Sequence, residues 1–556
     1  MKPTLYSLFA MLIICFSFIS CQEKPETPRE VPTLWMAYDE TSEVKENDSI
    51  ENRRLRYKLL QSKFTDRNAI FSELYWEVTD FPQERYDEIA PLILEKDIPS
   101  IQQAIAANKF TYEELTLFYL KRIYTYELDP KTSLYTIMAL NPDVLEEARL
   151  KDTNKATKNH EIYGMPILLK DNISTSNMKT TAGAMALQEN APTKDAFIVS
   201  QLKKNGALIL GKVNLSEWAY YFCNRCPLGY SAVGGQTLNP YGRKQFETGG
   251  SSAGSGTSVA ANYAVAAVGT ETAGSIISPT SQNSLVGLKP TVGVLSRSGI
   301  IPISHTLDTS GPMTKNTIDT AILLDAMAGL DPTDSASKEK SENYIASVKE
   351  GTLKGKRLGV MNGLLEDSIY SATIKRLEDE GAVIVTYDAP EIALEGFGTL
   401  LDVEMLEDLP LYLEEYASET VSVKSIQDVM AFNQKDSLGY MPYNQGIFDE
   451  IVADSTSTED FQQLRATLLK NGAQFFDEPM QAHDLDAILS INNYHSGYAA
   501  VGLRPCLALP MGYKENGEPI ALTFIGLPFS ELELLKMGYA YEKANPIRKI
   551  PELFKN

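Results

Sequence analysis

Residues 249–275 constrain the fold most, because they contain almost no side chain larger than valine. Glycine permits positive φ and close approach of backbone, while alanine and serine allow tight packing. The apolar run 264–268 predicts a buried strand, and residues 269–274 predict a polar turn after it. Hydroxyls that flank a small-residue helix and a buried strand indicate a site on rigid backbone and favour a serine hydrolase. The serines in question are Ser251, Ser252 and Ser255 on one side and Ser275 on the other.

Composition limits the partners of the chain. It has 556 residues, of which 43% are hydrophobic and 22% charged, so it is globular and can bury a large core. The excess of 73 acidic over 51 basic residues gives a net charge of −22. This charge argues against nucleic acid as a partner and against an anionic membrane surface. The five cysteines are too few and too scattered for a disulfide scaffold.

The first residues predict export. Residues 8–19 are mostly apolar but too short for a membrane span, and Cys21 follows directly. The ending FISC at residues 18–21 resembles a bacterial lipoprotein box, which implies a signal peptide over residues 1–20 and a lipid on Cys21. The expected location is the cell envelope, with simple secretion as the alternative. Residues 21–60 are polar and without periodicity, so we predict a flexible tether.

A second landmark is the sequence GMPILLKDN at residues 164–172. It predicts a short apolar strand that ends in Lys170, followed by Asp171 and Asn172. Burial disfavours the charged form of a lysine and lowers its pKa from about 10.4, which makes Lys170 a candidate base. A solvated strand end is the ordinary alternative for such a lysine.

Several motifs together resemble the amidase signature family, and within it the bacterial peptide-amidase-like branch. They are GGSSAGS at 249–255, GTETAGSI at 269–276, GLKPT at 287–291, SRSG at 296–299, DTSGP at 308–312 and RPCLALP at 504–510. The resemblance implies an α/β fold in which helices cover both faces of a central, mostly parallel or mixed sheet. It spans residues 61–556 as a single domain, with core motifs over 164–312, a variable helical region over 332–485 and a closing segment over 486–556.

The resemblance also implies a site and an activity. Ser275 would be the nucleophile, Ser251 a bridging serine after a cis peptide with Gly250, and Lys170 the base. A serine hydroxyl needs such a base, and this chemistry uses no cofactor and no metal. The expected function is hydrolysis of a small-molecule amide or peptide amide through an acyl-enzyme, with a membrane reached only through the lipid anchor. The backbone amides expected at the oxyanion are those of Thr272, Ala273, Gly274 and Ser275.

Other functions stay open at this point. The same triad could serve a fatty-acid-amide or ester hydrolase, and an inactive relative could bind amides or peptides at the envelope. The sequence GSSAG at 250–254 also fits a nucleophile elbow, in which Ser252 would pair with a histidine, but no buried strand precedes it. The histidines available for that pairing are His305, His483 and His495.

Two further motifs have ordinary explanations. Residues 351–357 approximate a phosphate-binding loop but lack its spacing, so we expect a loop before a strand at 358–361. Cys223 and Cys226 form a C-x-x-C, for which a short disulfide or two free thiols is favoured over a redox or metal site. Asp171 and Arg297 could be buried partners near the site or members of an ordinary core ion pair.

Overall fold

The computed structural model describes residues 29–340 and 342–555. The signal peptide predicted over residues 1–20 and the predicted lipid site Cys21 lie outside these residues. Within the described part of the chain, no helix is both long and apolar enough to cross a membrane. The strands are β1 Ile137–Leu140, β2 Pro166–Lys170, β3 Leu208–Val213, β4 Tyr230–Ser231, β5 Gly235–Gln236, β6 Ala266–Glu271, β7 Val286–Lys289, β8 Thr309–Thr314, β9 Arg357–Met361, β10 Val383–Tyr387, β11 Ala487–Ile491, β12 Cys506–Tyr513 and β13 Pro519–Ile525.

Helices of different lengths separate these strands. They are α1 Thr41–Lys45, α2 Arg67–Ser72, α3 Tyr75–Asp80, α4 Gln83–Ile93, α5 Ile98–Ala106, α6 Tyr112–Glu127, α7 Val144–Thr153, α8 Phe197–Lys204, α9 Ala253–Ala260, α10 Ile277–Gln282, α11 Thr317–Met327, α12 Ser368–Asp379, α13 Phe397–Glu415, α14 Ile426–Asn433, α15 Ser437–Tyr440, α16 Gly446–Ala453, α17 Thr458–His483, α18 Ser496–Val501 and α19 Glu531–Ala544. The sequence TYEE at 111–114 has the pattern of a capping box, and such a box on Thr111 and Glu114 begins α6.

Eleven strands form one mixed sheet in the order β1-β3-β2-β6-β8-β7-β12-β13-β11-β9-β10. Strand β2 pairs in parallel with β3 and β6, and β9 pairs in parallel with β10 and β11. The strands between these two groups pair antiparallel. Strands β9 and β10 pair in parallel with α12 between them and form a βαβ unit. The segment at 351–357 is therefore the loop before a strand that the sequence predicts.

Apolar side chains on alternate positions of the strands enter different cores. On β12, Leu507 and Leu509 belong to the same core as Leu534 of α19. Between them, Ala508 points to the other face and packs in a core with Phe475 and Phe476 of α17. Because successive strand residues point to opposite faces, helices cover the sheet on both sides, which confirms the predicted fold class.

The structure corrects two predictions. Residues 29–60 are not a tether throughout, because Trp35, Leu55 and Tyr57 are buried in the main core. Burial of their apolar surface stabilises the packing of this segment on the domain, although most residues around them are polar. The predicted turn at 269–274 is partly strand, since β6 continues to Glu271 and pairs with Thr309 of β8. Tertiary pairing therefore extends a strand whose last residues are polar.

Candidate active site

Lys170 ends β2 in the interior of the protein. Its side chain is fully buried, and its Nζ lies 2.7 Å from Ser251 Oγ, 2.8 Å from Thr270 Oγ1 and 3.1 Å from the carbonyl oxygen of Thr270. Strand β6 carries Thr270 and is the parallel neighbour of β2. The structure thus brings together Lys170 and Ser251, as predicted, and adds Thr270, which the sequence reading did not single out.

Burial lowers the pKa of Lys170 to about 7, and the negative charges of Asp308 and Glu271 offset part of that effect. A lysine in this range is neutral in a large fraction of molecules near neutral pH and can accept a proton. The three oxygen partners of Lys170 are uncharged, so no direct ion pair holds its proton in place.

The serine cluster before α9 depends on close backbone contacts. The peptide between Gly250 and Ser251 is cis, as the family resemblance implies. Gly249 has φ +67°, and a Cβ there would lie 2.6 Å from the backbone of Pro279. Ser251 is fully buried, so these glycines let two segments pack where a larger residue would not fit.

Residues 272–276 connect β6 to α10 and carry Ser275 in a half-buried position. We name this segment the nucleophile turn after the role predicted for Ser275. The amide of Ser252 donates to the carbonyl oxygen of Ser275 at 3.2 Å, which places the two serine segments side by side. Gly274 has φ +96°, a conformation that side chains rarely adopt. The side chain of Ser275 makes no hydrogen bond to any other described residue, so no such bond joins it to Ser251.

The amides of the nucleophile turn have different partners. The amide of Gly274 donates to Glu271 Oε1 at 2.6 Å, so it is not directed at an oxyanion and departs from the prediction. Within the described residues, the amides of Thr272, Ala273 and Ser275 donate to no protein atom. Of the four amides predicted to meet an oxyanion, these three are therefore without a protein acceptor.

A pocket of about 220 Å³ lies beside this turn. Thr270, Thr272 and Asp308 line its inner part, and Asp408 and Leu411 of α13 line it from the variable helical region. Its wall combines charged side chains such as Arg297 and Asp334 with apolar ones; the apolar residues include Ala219, Ile300, Ile301, Pro302 and Ile303. The variable region therefore helps to form the cover of the pocket.

Asp171 and Arg297 are not partners of each other. Asp171 lies 3.5 Å from Lys212 of β3 and accepts hydrogen bonds from Thr181. Arg297 pairs instead with Asp334 at the pocket. Each is thus one half of a separate ion pair.

The alternative nucleophile Ser252 has a structural role. Its hydroxyl donates to the carbonyl oxygen of Thr270 at 3.0 Å and accepts from the amide of Thr270 at 3.2 Å. His305 pairs with Asp408, and His495 contacts Ser490. The geometry therefore gives no support to a nucleophile elbow at Ser252.

Cys223 and Cys226 form a disulfide, the ordinary alternative for this C-x-x-C. The bond lies in a segment of unusual backbone, in which Trp218, Ala219 and Tyr220 all have positive φ. Because Ala219 lines the pocket, this segment forms part of the pocket wall. Besides Thr270, the sequence analysis missed Glu271 and Asp308. Both lie inside motifs of the family, but only the fold shows that both contact the nucleophile turn, Glu271 at Gly274 and Asp308 at Thr272.

Comparison with known proteins agrees with this architecture. Residues 114–491 match the family model described as Amidase. The chain is 36% identical over 482 residues to a probable amidase of Arabidopsis thaliana, an alignment that covers 83% of this chain and 92% of the relative.

Two solved structures are similar to this chain over most of its length. An amidase family protein from Bacillus anthracis str. Ames aligns with a TM-score of 0.84 and 34% identity, covering 89% of this chain and 100% of that chain. The native peptide amidase from Stenotrophomonas maltophilia aligns with a TM-score of 0.79 and 36% identity, covering 83% of this chain and 99% of that chain. The chain therefore belongs to the amidase signature family and is an amidase, an enzyme that hydrolyses amide bonds.

Proposed function

We propose that this amidase cleaves its substrate through an acyl-enzyme on Ser275, with Ser251 as proton relay and Lys170 as base. The observation that carries the proposal is the 2.7 Å contact between Lys170 Nζ and Ser251 Oγ at a fully buried lysine. Burial lowers the pKa of this lysine to about 7, which suits a base that works near neutral pH.

The proposed acylation moves two protons in a relay, forms one C–O bond and opens the π bond of the carbonyl. Neutral Lys170 takes the proton of Ser251 while Ser251 takes the proton of Ser275, and Ser275 Oγ attacks the carbonyl carbon. The negative charge on the carbonyl oxygen is met by the amides of Thr272, Ala273 and Ser275; losing one such donor typically costs about 3 to 4 kcal/mol of barrier.

Collapse of the tetrahedral intermediate completes the reaction. The C–N bond breaks as the proton on Lys170 returns through Ser251 to the leaving nitrogen, which departs as ammonia or an amine. Water then attacks the Ser275 ester while its proton passes through Ser251 to Lys170. The proton returns through Ser251 to Ser275 Oγ as the ester C–O bond breaks, which releases the carboxylic acid and restores the free hydroxyl. The triad residues supply every proton transfer in this sequence.

The proposed substrates are small carboxamides and peptide amides. Two features support this class: the similarity to a peptide amidase structure and a pocket of about 220 Å³ whose wall includes the apolar run from 300 to 303. Thr272 of the nucleophile turn lines this pocket, whose volume suits a single apolar residue or a short acyl group.

Replacement of the nucleophile tests the proposal. Ser275→Ala should lower kcat for peptide amides and simple acyl amides by at least about 1000-fold, because it removes the attacking oxygen. Ser255→Ala is a matched control, since that buried hydroxyl donates to the carbonyl oxygen of Val268 at 3.0 Å and not to the triad. Turnover by Ser275→Ala near the rate of the control would contradict the nucleophile assignment.

We also propose that the protein is a lipid-anchored lipoprotein of the bacterial cell envelope. The sequence FISC before the polar segment supports lipidation of Cys21. Cys21→Ser should move the protein from the membrane fraction to the soluble fraction, because acyl chains are the proposed anchor. Recovery of the unchanged protein in the soluble fraction would contradict the anchor.

A further inference from the structure

A buried carboxylate organises the nucleophile turn from one side. Glu271, which is 1% exposed, accepts the amide of Gly274 through Oε1 at 2.6 Å. Its Oε2 accepts the amides of Ile276 at 2.6 Å and Ile277 at 2.9 Å. Hydrogen bonds to a charged acceptor are strong, and rotating the turn would leave this buried charge without partners. Glu271 therefore fixes the backbone on both sides of Ser275.

A second carboxylate holds the same turn from the pocket side. Asp308 Oδ1 accepts the hydroxyl of Thr272 at 2.5 Å. Its Oδ2 accepts the amides of Ile303 at 2.8 Å and Ser304 at 2.9 Å, both in the pocket wall. Asp308 thus joins the first residue of the turn to the wall that faces the substrate.

We propose that Glu271 and Asp308 are positioning residues that clamp the nucleophile turn, so that the amides of Thr272, Ala273 and Ser275 face the reacting carbonyl. Glu271 takes up the Gly274 amide and thereby decides which amides of the turn remain for the oxyanion. The proposal rests on the roles proposed above for Ser275 and Lys170. It assigns the two carboxylates no contact with the substrate's reacting atoms.

The two charges also act on the base. Both face Lys170 and favour its ammonium form, against the effect of burial. Asp308 in turn faces Asp408 and Arg297, and Glu271 faces the thiol of Cys506, whose pKa burial raises to about 12. Removing either carboxylate charge should therefore lower the pKa of Lys170 and move the acid limb of the kcat/KM profile to lower pH.

The test is a pH profile of kcat and KM for Glu271→Gln, Glu271→Asp and Asp308→Asn. Glu271→Gln should lower kcat by about 100-fold with little change in KM, because the turn acts in the transition state. Its acid limb should shift to lower pH, as should that of Asp308→Asn. Glu271→Asp keeps the charge, so its acid limb should stay at the wild-type position although its shorter side chain loses part of kcat.

A control separates this effect from general damage to a buried carboxylate. Glu531 is 1% exposed and accepts the amide of Thr291 at 2.7 Å, in the closing segment of the chain. Glu531→Gln should leave the acid limb in place. Hydrogen exchange of the peptide that spans residues 272–277 should rise in Glu271→Gln and stay unchanged in the control.

The outcomes distinguish this inference from the proposed function. Wild-type exchange in the turn of folded Glu271→Gln, or an unchanged kcat in that variant, would overturn the clamp. An acid limb that does not move would overturn the effect of the two charges on Lys170. If exchange rises but Lys170→Met retains turnover and the same acid limb, the clamp stands and the role of Lys170 as base has failed. Faster exchange and a shifted acid limb in Glu271→Gln, together with the absence of that limb in Lys170→Met, support both the clamp and the role of Lys170 as base.

Discussion

Lys170 is a buried amine whose hydrogen-bond partners are all uncharged oxygens, so the fold bears the cost of desolvating it. Lys212 is equally buried and pairs with Asp171 at 3.5 Å. The two lysines lie on the neighbouring strands β2 and β3. Lys170 is suited to accept a proton and Lys212 to hold an ion pair, although both are lysines and both are fully buried.

This difference predicts opposite effects of the same substitution on stability. Lys170→Met should raise the free energy of unfolding at pH 6 on the order of 3 kcal/mol, since the wild type must bury an ammonium group at that pH. The folded-state pKa is lowered from 10.5 to about 7, so unfolding takes up a proton between these values and wild-type stability rises with pH there. The gain in the variant should therefore shrink above pH 7.

Lys212→Met is the matched control. It leaves Asp171 buried without its cation, so it should destabilise the fold, by roughly 3 to 5 kcal/mol as is usual for a broken buried pair. Urea unfolding at several pH values measures both variants. A loss of stability in Lys170→Met at pH 6 similar to that in Lys212→Met would show that Lys170 is needed for the fold.

At the scale of elements, the sequence predicts well what is local. The capping box of α6, the strand that ends at Lys170 and the β9-α12-β10 unit all follow from periodicity and turn residues. The end of β6 does not, because its polar residues become strand only by pairing with β8, which lies about 40 residues further on. Burial of Trp35 under a polar segment depends in the same way on distant partners.

In the candidate site, too, the sequence predicts the residues of local motifs but not the contacts that depend on the fold. Motifs and family resemblance identify Lys170, Ser251 and Ser275 from the sequence. They do not show that Glu271 takes up the Gly274 amide or that Asp308 holds Thr272, because these contacts depend on where a turn folds back. Side chains brought together by tertiary packing carry no signal of spacing in the sequence.

The disulfide segment gives a prediction at this scale. Cys223 and Cys226 are three residues apart, and a cross-link over such a short loop stabilises by about 2 kcal/mol in the chain-entropy account. The segment also holds α16, since the amide of Ile447 donates to the carbonyl oxygen of Phe222. Reduction should therefore lower the free energy of unfolding by about this amount while kcat of the folded enzyme stays the same.

Urea unfolding with and without a phosphine reductant measures this effect. Cys226→Ser is the control, because it lacks the bond from the start and should not respond to the reductant. An equal response of the variant and the wild type, or no gain of free thiols on reduction, would contradict the role of the disulfide.

At the scale of the whole molecule, the sheet brings distant parts of the chain to one site. Strands β2, β6 and β8 are neighbours in the sheet. Lys170 lies on β2, Thr270 on β6, and Asp308 directly before β8. Helix α13 of the variable region lines part of the pocket. Lys170 and the nucleophile turn thus stand on packed backbone rather than on long loops. Such rigid support suits the proton relay that we propose.

Covalent labelling at different pH values tests the central claim most directly. A fluorophosphonate reacts with an activated serine, and mass spectrometry of the digested protein locates the adduct. We expect the adduct on Ser275, at a rate that rises with pH through the pKa of about 7 of Lys170 and falls sharply in Lys170→Met. An adduct on Ser252 or another serine, or an unchanged labelling rate in Lys170→Met, would contradict the account.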